Sequence, residues 1–159
     1  MDNPNVVTIQ KQITPEEWKQ MVADGMDFNT KIYTLGVSMF PLLRSKGDSV
    51  TIVPLNRQLK KGDVVVFLRS DGKYVAHRVC WYDEKTVKTI GDNCEQYDAK
   101  IQCSEVLGLV TYVHRGNKDI YVDTRLWRFY GRVMLWLRPV RKLFKKFRSK
   151  VYHIVKGNK

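Results

Sequence analysis

The chain has 159 residues and a formal charge of +12, from 28 lysines and arginines against 16 acidic residues; 43% of it is hydrophobic and 11% aromatic. A chain of this size buries about 70% of its unfolded surface and forms one core-bearing domain with at most an appendage, and the composition excludes disorder, collagen and low complexity. No apolar run approaches the roughly 18 residues of a membrane-spanning helix, and the N-terminus MDNPNVV lacks the basic and apolar regions of a secretory signal.

Residues 1–13 read as an extended lead-in. A helix is predicted over 14–23: Thr14 can cap it, Pro15 fits its first position and Glu17 completes a capping box. Trp18, Met21 and Val22 would form its apolar side, and Asp24-Gly25 would end it. From residue 31 short β-branched runs alternate with Gly, Asp and Pro, predicting strands over 31–35, 49–53, 63–68, 74–81, 86–90 and 105–113. Their spacing of about ten residues points to an all-β barrel or sandwich rather than a parallel α/β sheet. Asp71-Gly72 reads as a hairpin turn, and Gly47-Asp48 and Gly62-Asp63 as turns entering strands. After Asp119, Leu126, Tyr130, Val133, Leu137, Val140, Phe144, Phe147, Val151 and Ile154 recur at helical spacing as one stripe, with Pro139 breaking or kinking the helix after Leu137.

The charge is divided along the same lines. Residues 125–159 hold twelve basic residues and no acidic one, which leaves sixteen of each sign in residues 1–124. The organisation expected is a lead-in and short helix (1–30), a neutral mainly β domain (31–124) and a basic amphipathic helical tail (125–159). Cys80, Cys94 and Cys103 form no CxxC pair and read as reduced thiols, so no metal or cofactor is expected.

Four blocks carry candidate chemistry. Ser38 sits in Gly36-Val37-Ser38-Met39-Phe40-Pro41-Leu42-Leu43, a bend that can present a side chain at the surface. Lys61-Gly62-Asp63-Val64-Val65-Val66-Phe67 is a turn into a buried strand. In Tyr74-Val75-Ala76-His77-Arg78-Val79, alternation puts His77 on one face with Val75 and Val79, and Arg78 on the other. Thr89-Ile90-Gly91-Asp92-Asn93 closes a strand, and Asp98 follows. A serine hydroxyl needs an adjacent base, a neutral imidazole supplies one near neutral pH, and a carboxylate fixes its tautomer. The bland alternatives are a turn serine and a satisfied core histidine. His114 reads as a loop residue, His153 as solvated, and Arg78 as either a carboxylate anchor for Asp92 or Asp98 or an exposed side chain.

These blocks, followed by Val106-Leu107-Gly108, resemble in content and order the signal peptidase and LexA superfamily of serine peptidases over residues 34–113. His77-Arg78 stands where bacterial members carry a lysine, so the chain is similar to the histidine-type, archaeal and endoplasmic-reticulum signal peptidases. The resemblance implies a signal-peptidase-like β fold and a serine endopeptidase with Ser38 as nucleophile, His77 as base and Asp98 as acid. Asp92 is the alternative acid, or supports the turn or the triad from behind. It implies the Ser38 backbone N–H as an oxyanion donor; Gly36 lacks the hydroxyl that bacterial members place there, leaving the second donor open. Met39 resembles the apolar floor of the substrate site, or is an ordinary packed methionine.

The family's usual N-terminal spanning anchor has no counterpart in the sequence, so the expectation is a cytoplasmic enzyme, peripheral on the inner face of the membrane. It would make limited cuts in a peptide or protein, such as the leader of an exported peptide. The tail would replace the anchor, with Trp127 and Trp136 at the headgroups and the cations on anionic lipid. A partner helix or transporter is the alternative for the tail, and nucleic acid is disfavoured because no DNA-binding motif occurs. The rival functions are a self-cleaving LexA-type regulator, for which residues 1–30 leave little room, and an inactive membrane-bound binding module.

Overall fold

The computed structural model describes residues 17, 20, 30–33, 36–44, 47–55, 57–69 and 74–142. Glu17 and Gln20 are helical; the rest of the helix predicted over 14–23, the Asp71-Gly72 turn and the tail beyond residue 142 lie outside the described residues. The described chain is mainly β. Eight strands form one antiparallel sheet: β1 (Thr30–Tyr33), β2 (Asp48–Val53), β3 (Val64–Leu68), β4 (Tyr74–Tyr82), β5 (Thr86–Ile90), β6 (Ile101–Gln102), β7 (Val106–Arg115) and β8 (Lys118–Tyr121). The pairing path runs β1-β2-β7-β3-β4-β5-β6, with β8 on β7. β7 is long enough to use one edge twice, pairing with β3 at Val106–Leu109 and with β8 at Tyr112–Arg115.

The path does not close on itself, so the sheet is not a complete barrel. Both of its faces are filled instead, as the alternation of β3 makes plain. Val64 and Val66 enter one apolar cluster with Met39, Leu42, Val50, Ile52, Val110 and Val113. Val65 and Phe67 enter the other with Leu59, Val79, Val87, Val106 and Leu109. A strand covered on both sides reads as a continuous apolar run, which is what Val64-Val65-Val66-Phe67 is.

Sequence spacing missed two elements. β6 is only two residues long, and β8 (Lys-Asp-Ile-Tyr) carries a single aliphatic residue. Placing β8 also corrects the reading of His114 as a loop residue. It lies in β7, where Nε2 meets Thr51 Oγ1 at 2.6 Å and Nδ1 meets Asp119 Oδ1 at 2.6 Å, tying β2, β7 and β8 together.

The tail begins as helix α1 (Arg125–Trp136), capped by Thr124, whose hydroxyl accepts from the Trp127 N–H at 3.2 Å. Helical backbone resumes at 138–142, where Pro139 occupies the first turn and its missing N–H costs nothing. The face turned to the domain coincides only in part with the predicted stripe, of which Tyr130, Val133 and Leu137 are half-buried. Gly131 and Met134 are buried, and Trp127 packs on the first apolar cluster, whereas Leu126 is 74% and Val140 46% exposed. The pattern of apolar letters misled because arginines fill part of the inner face. Arg128 Nη1 lies 2.6 Å from Asp123 Oδ1, Arg138 Nη2 donates to the Glu95 carbonyl at 2.8 Å, and Arg141 Nη1 donates to the Asp92 carbonyl at 2.7 Å. Three of the six tail cations among the described residues are thus engaged with the domain.

Gly131 allows this seat. A Cβ there would collide with Arg78 Nη1 and stand 2.9 Å from the Gly62 carbonyl, so only glycine lets α1 approach β4 this closely. Under it, Arg78 is 2% exposed; its Nε and Nη2 donate to the two oxygens of Asp92 at 2.6 Å each, its Nη1 donates to the Gly62 carbonyl at 2.8 Å, and its guanidinium lies 5.7 Å from the centre of the Tyr130 ring. Of the two readings of Arg78, the structure therefore supplies the carboxylate anchor, with Asp92 as its partner.

Candidate active site

The bend that carries Ser38 is a turn closed by the Phe40 N–H on the Val37 carbonyl at 3.1 Å, with a cis Phe40-Pro41 bond following. Met39, next in the chain, is buried in the first apolar cluster, where its Sδ accepts from the Asp92 N–H at 3.4 Å. It supports the site from beneath, as a packed side chain.

β4 and β5 bring the other two residues together. His77 is 4% exposed on β4, edge-on to Phe67 with ring centres 6.3 Å apart. Its Nδ1 lies 2.7 Å from Asp98 Oδ2. Asp98 is held in place by its backbone N–H on the Thr89 carbonyl at 3.0 Å and by the Thr89 hydroxyl, which donates to the same Oδ2 at 2.7 Å. Burial pushes the Asp98 carboxyl up, but the hydrogen bonds from His77 and Thr89, with the nearby charges, outweigh it and hold the group below the usual carboxylate range. An ionised Asp98 only accepts, so in a neutral imidazole Nδ1 carries the proton and Nε2 presents the lone pair. That Nε2 is buried and has no hydrogen-bond partner among the described residues. Asp92, the alternative acid, does not reach His77; both its oxygens are taken by Arg78.

Gly91 is where the pieces converge. A Cβ built on it would stand 2.7 Å from the Ser38 carbonyl, 2.7 Å from Cys94 Sγ and 3.1 Å from His77 Nε2. The absent side chain lets the Ser38 carbonyl and the His77 ring both approach Gly91, while the Ser38 hydroxyl makes no hydrogen bond to Nε2. Residues 91–94 form a turn, closed by the Cys94 N–H on the Gly91 carbonyl at 3.0 Å. Its central peptide is held at both ends: the Asn93 N–H donates to the Ser38 carbonyl at 2.7 Å, and the Asp92 carbonyl accepts from Arg141 at 2.7 Å. The Asn93 side-chain amide adds a bond to the Val37 carbonyl at 3.2 Å.

Thr89, Asn93 and Arg141 are the residues whose roles the sequence did not announce. The first two fall in the Thr89–Asn93 block but acquire their parts only from the turn geometry. A cleft of about 1040 Å³ opens on His77 and Asp98 and is walled by Phe67, Leu68, Tyr97 and Lys100. Among the described residues no three His, Cys, Asp or Glu side chains gather as a metal site. Compared with protein-family models and with curated proteins, the sequence matches none.

Proposed function

We propose that the chain is a serine endopeptidase on a signal-peptidase-like fold, making limited cuts in extended peptide segments through Ser38, His77 and Asp98. The observation that carries this reading is the state of His77. It is buried, oriented at Nδ1 by an ionised carboxylate, and left with an unpartnered Nε2 beside the bend that bears a serine. A core histidine satisfied at both nitrogens would have no such acceptor to offer.

In this mechanism the Ser38 hydroxyl gives its proton to Nε2 as its oxygen attacks the scissile carbonyl. The imidazolium formed is stabilised by Asp98, and the Ser38 main-chain N–H faces the developing oxyanion, a contribution of about 3 kcal/mol per donor. His77 then returns the proton to the leaving amine, and a water repeats the sequence on the acyl-serine. Candidate leader peptides of exported products, incubated with wild type and with Ser38→Ala and read by mass spectrometry, test this. New termini are expected with wild type alone. Equal cleavage by both would end the triad assignment, and cleavage by neither would favour a binding module.

We assign the tail a peripheral role on an anionic membrane at its inner face. Among the described residues no helix is long and apolar enough to cross a bilayer. The outer side of 125–142 instead exposes Leu126, Phe129 (61%) and Val140 among the exposed cations Arg125 and Lys142. That pairing of apolar and cationic groups suits an interface-lying helix. Flotation with vesicles containing phosphatidylserine is expected for wild type and lost when Leu126 and Phe129 are together changed to Glu. Flotation undiminished by that change would refute the assignment.

A further inference from the structure

The cleft at His77 does not end at Tyr97 and Lys100. Both residues also line a second, open groove of about 780 Å³ that runs between β4, β5 and α1. Its charged lining is Lys61, Lys88, Lys100 and Arg132, with no carboxylate, and its aromatic walls are Trp81, Tyr97 and Trp136.

Two of these cations lie over aromatic rings. Lys88 Nζ stands 4.9 Å from the centre of the Tyr97 ring, and Lys100 Nζ stands 4.3 Å from that of Trp81. Arg138, just outside the groove, covers Tyr97 at 4.2 Å. Such contacts orient a cation without a carboxylate of the groove to neutralise it. Cys80 in the groove floor feels the resulting field: burial pushes its thiol up, and the charges of Lys88, Arg138 and Lys61 act against that.

We propose that this groove binds an acidic stretch of the substrate, so that the enzyme selects peptides carrying Asp or Glu on one side of the cut. The inference rests on the peptidase reading above and names its substrate class. Continuity carries it. A chain lying past His77 leaves the cleft at Tyr97 and Lys100 and enters a site whose charges call for carboxylates. The groove is concave and opens from that cleft, so an extended peptide fits it where the flat plane of a bilayer does not. The aromatic walls accept the apolar parts of such a peptide between its charges.

The test uses the full chain and two dodecapeptides, one drawn from a sequence cut in the leader-peptide screen, or from an uncut leader if none is cut. One carries three Glu residues flanking the site, and the other Gln at those places. With Ser38→Ala, fluorescence anisotropy is expected to give about tenfold tighter binding of the Glu peptide at low salt, the gap closing near 0.5 M salt as screening sets in. Lys88→Glu with Lys100→Glu is expected to abolish the gap or invert it. With wild type, the Glu-to-Gln exchange is expected to raise KM and leave kcat within about twofold, as loss of uniform binding does. Lys88→Gln and Lys100→Gln serve in place of the reversal if thermal melts show that it does not fold.

Equal binding of the two peptides, or a gap that survives the lysine changes, overturns the proposal. So does displacement of the Glu peptide by phosphatidylserine vesicles when cleavage is indifferent to Glu or Gln, which would make the groove a lipid site. If wild type cuts neither peptide, the peptidase reading fails, while the Glu-to-Gln gap in Ser38→Ala still decides the groove.

Discussion

Asp98→Asn is expected to lower kcat by about 10⁴-fold while the protein stays folded, the size of loss that a wrongly tautomerised imidazole brings to a serine peptidase triad. The amide can donate to Nδ1, so the proton moves to Nε2 and the lone pair that should receive the Ser38 proton is gone. The same substitution has a signature in acid. Burial raises the Asp98 carboxyl, the bonds from His77 and Thr89 more than offset this, and the folded pKa lies below that of the unfolded chain. The ionised group therefore stabilises the fold above the unfolded value of about 3.9, and this stabilisation is lost as pH falls from there through the folded pKa. Wild type should lose melting temperature over that window, and Asp98→Asn should lose less of it. Melts between pH 6 and pH 3, with kcat measured at pH 7, check both halves. If Asp92→Asn melts like wild type and abolishes kcat, while Asp98→Asn remains active, the acid has been assigned to the wrong aspartate.

Arg78→Ala or Asp92→Ala is expected to produce the largest loss of stability of any single change in the site. The pair is buried, with side chains 2% and 1% exposed, and is doubly hydrogen bonded. Removing either member leaves a charge without a partner in a low-dielectric interior, a loss of about 3–5 kcal/mol. For a domain of this size that lowers Tm by on the order of 10 °C. Gly131→Ala should do comparable damage by another route. The added carbon meets the Arg78 guanidinium, so α1 must lift or the ion pair must shift. Thermal melts of the three variants, with activity normalised to the folded fraction, check this. An Arg78→Ala protein that melts within about 2 °C of wild type would show that the pair does not hold the fold.

What could be read from the sequence follows from what one-dimensional patterns encode. β-branched content and alternation locate β2, β3, β4, β5 and β7 within a residue or two, because these strands are long enough to show a period. β6 has no period to show, and the signal for β8 was the Gly116-Asn117 pair ahead of Ile120, a hairpin cue between two strand-like runs. Alternation places His77 and Arg78 on opposite faces but does not say what covers each; over Arg78 the cover is α1, some fifty residues downstream. The helix was legible through the spacing of its apolar residues and its proline, yet its orientation was not. Gly131 and the stems of arginines line the inner face, and a count of apolar letters scores none of them. The resemblance put Asp98 ahead of Asp92, and the structure adds a geometric reason. Both follow His77 at plausible distances, and it is the claim of Arg78 on Asp92 that leaves His77 to Asp98.

The peptide between Asp92 and Asn93, bonded to Arg141 on one side and to the Ser38 carbonyl on the other, bears on how the tail can be studied at all. Cutting the chain before residue 125 would remove whatever the outer surface binds, and in the same stroke uncover the Arg78–Asp92 pair and untie the turn that abuts Ser38. A truncated protein that neither floats with vesicles nor cleaves peptides would therefore say nothing about whether attachment serves catalysis. Attachment and catalysis can be separated here only by altering one side of a helix and sparing the other.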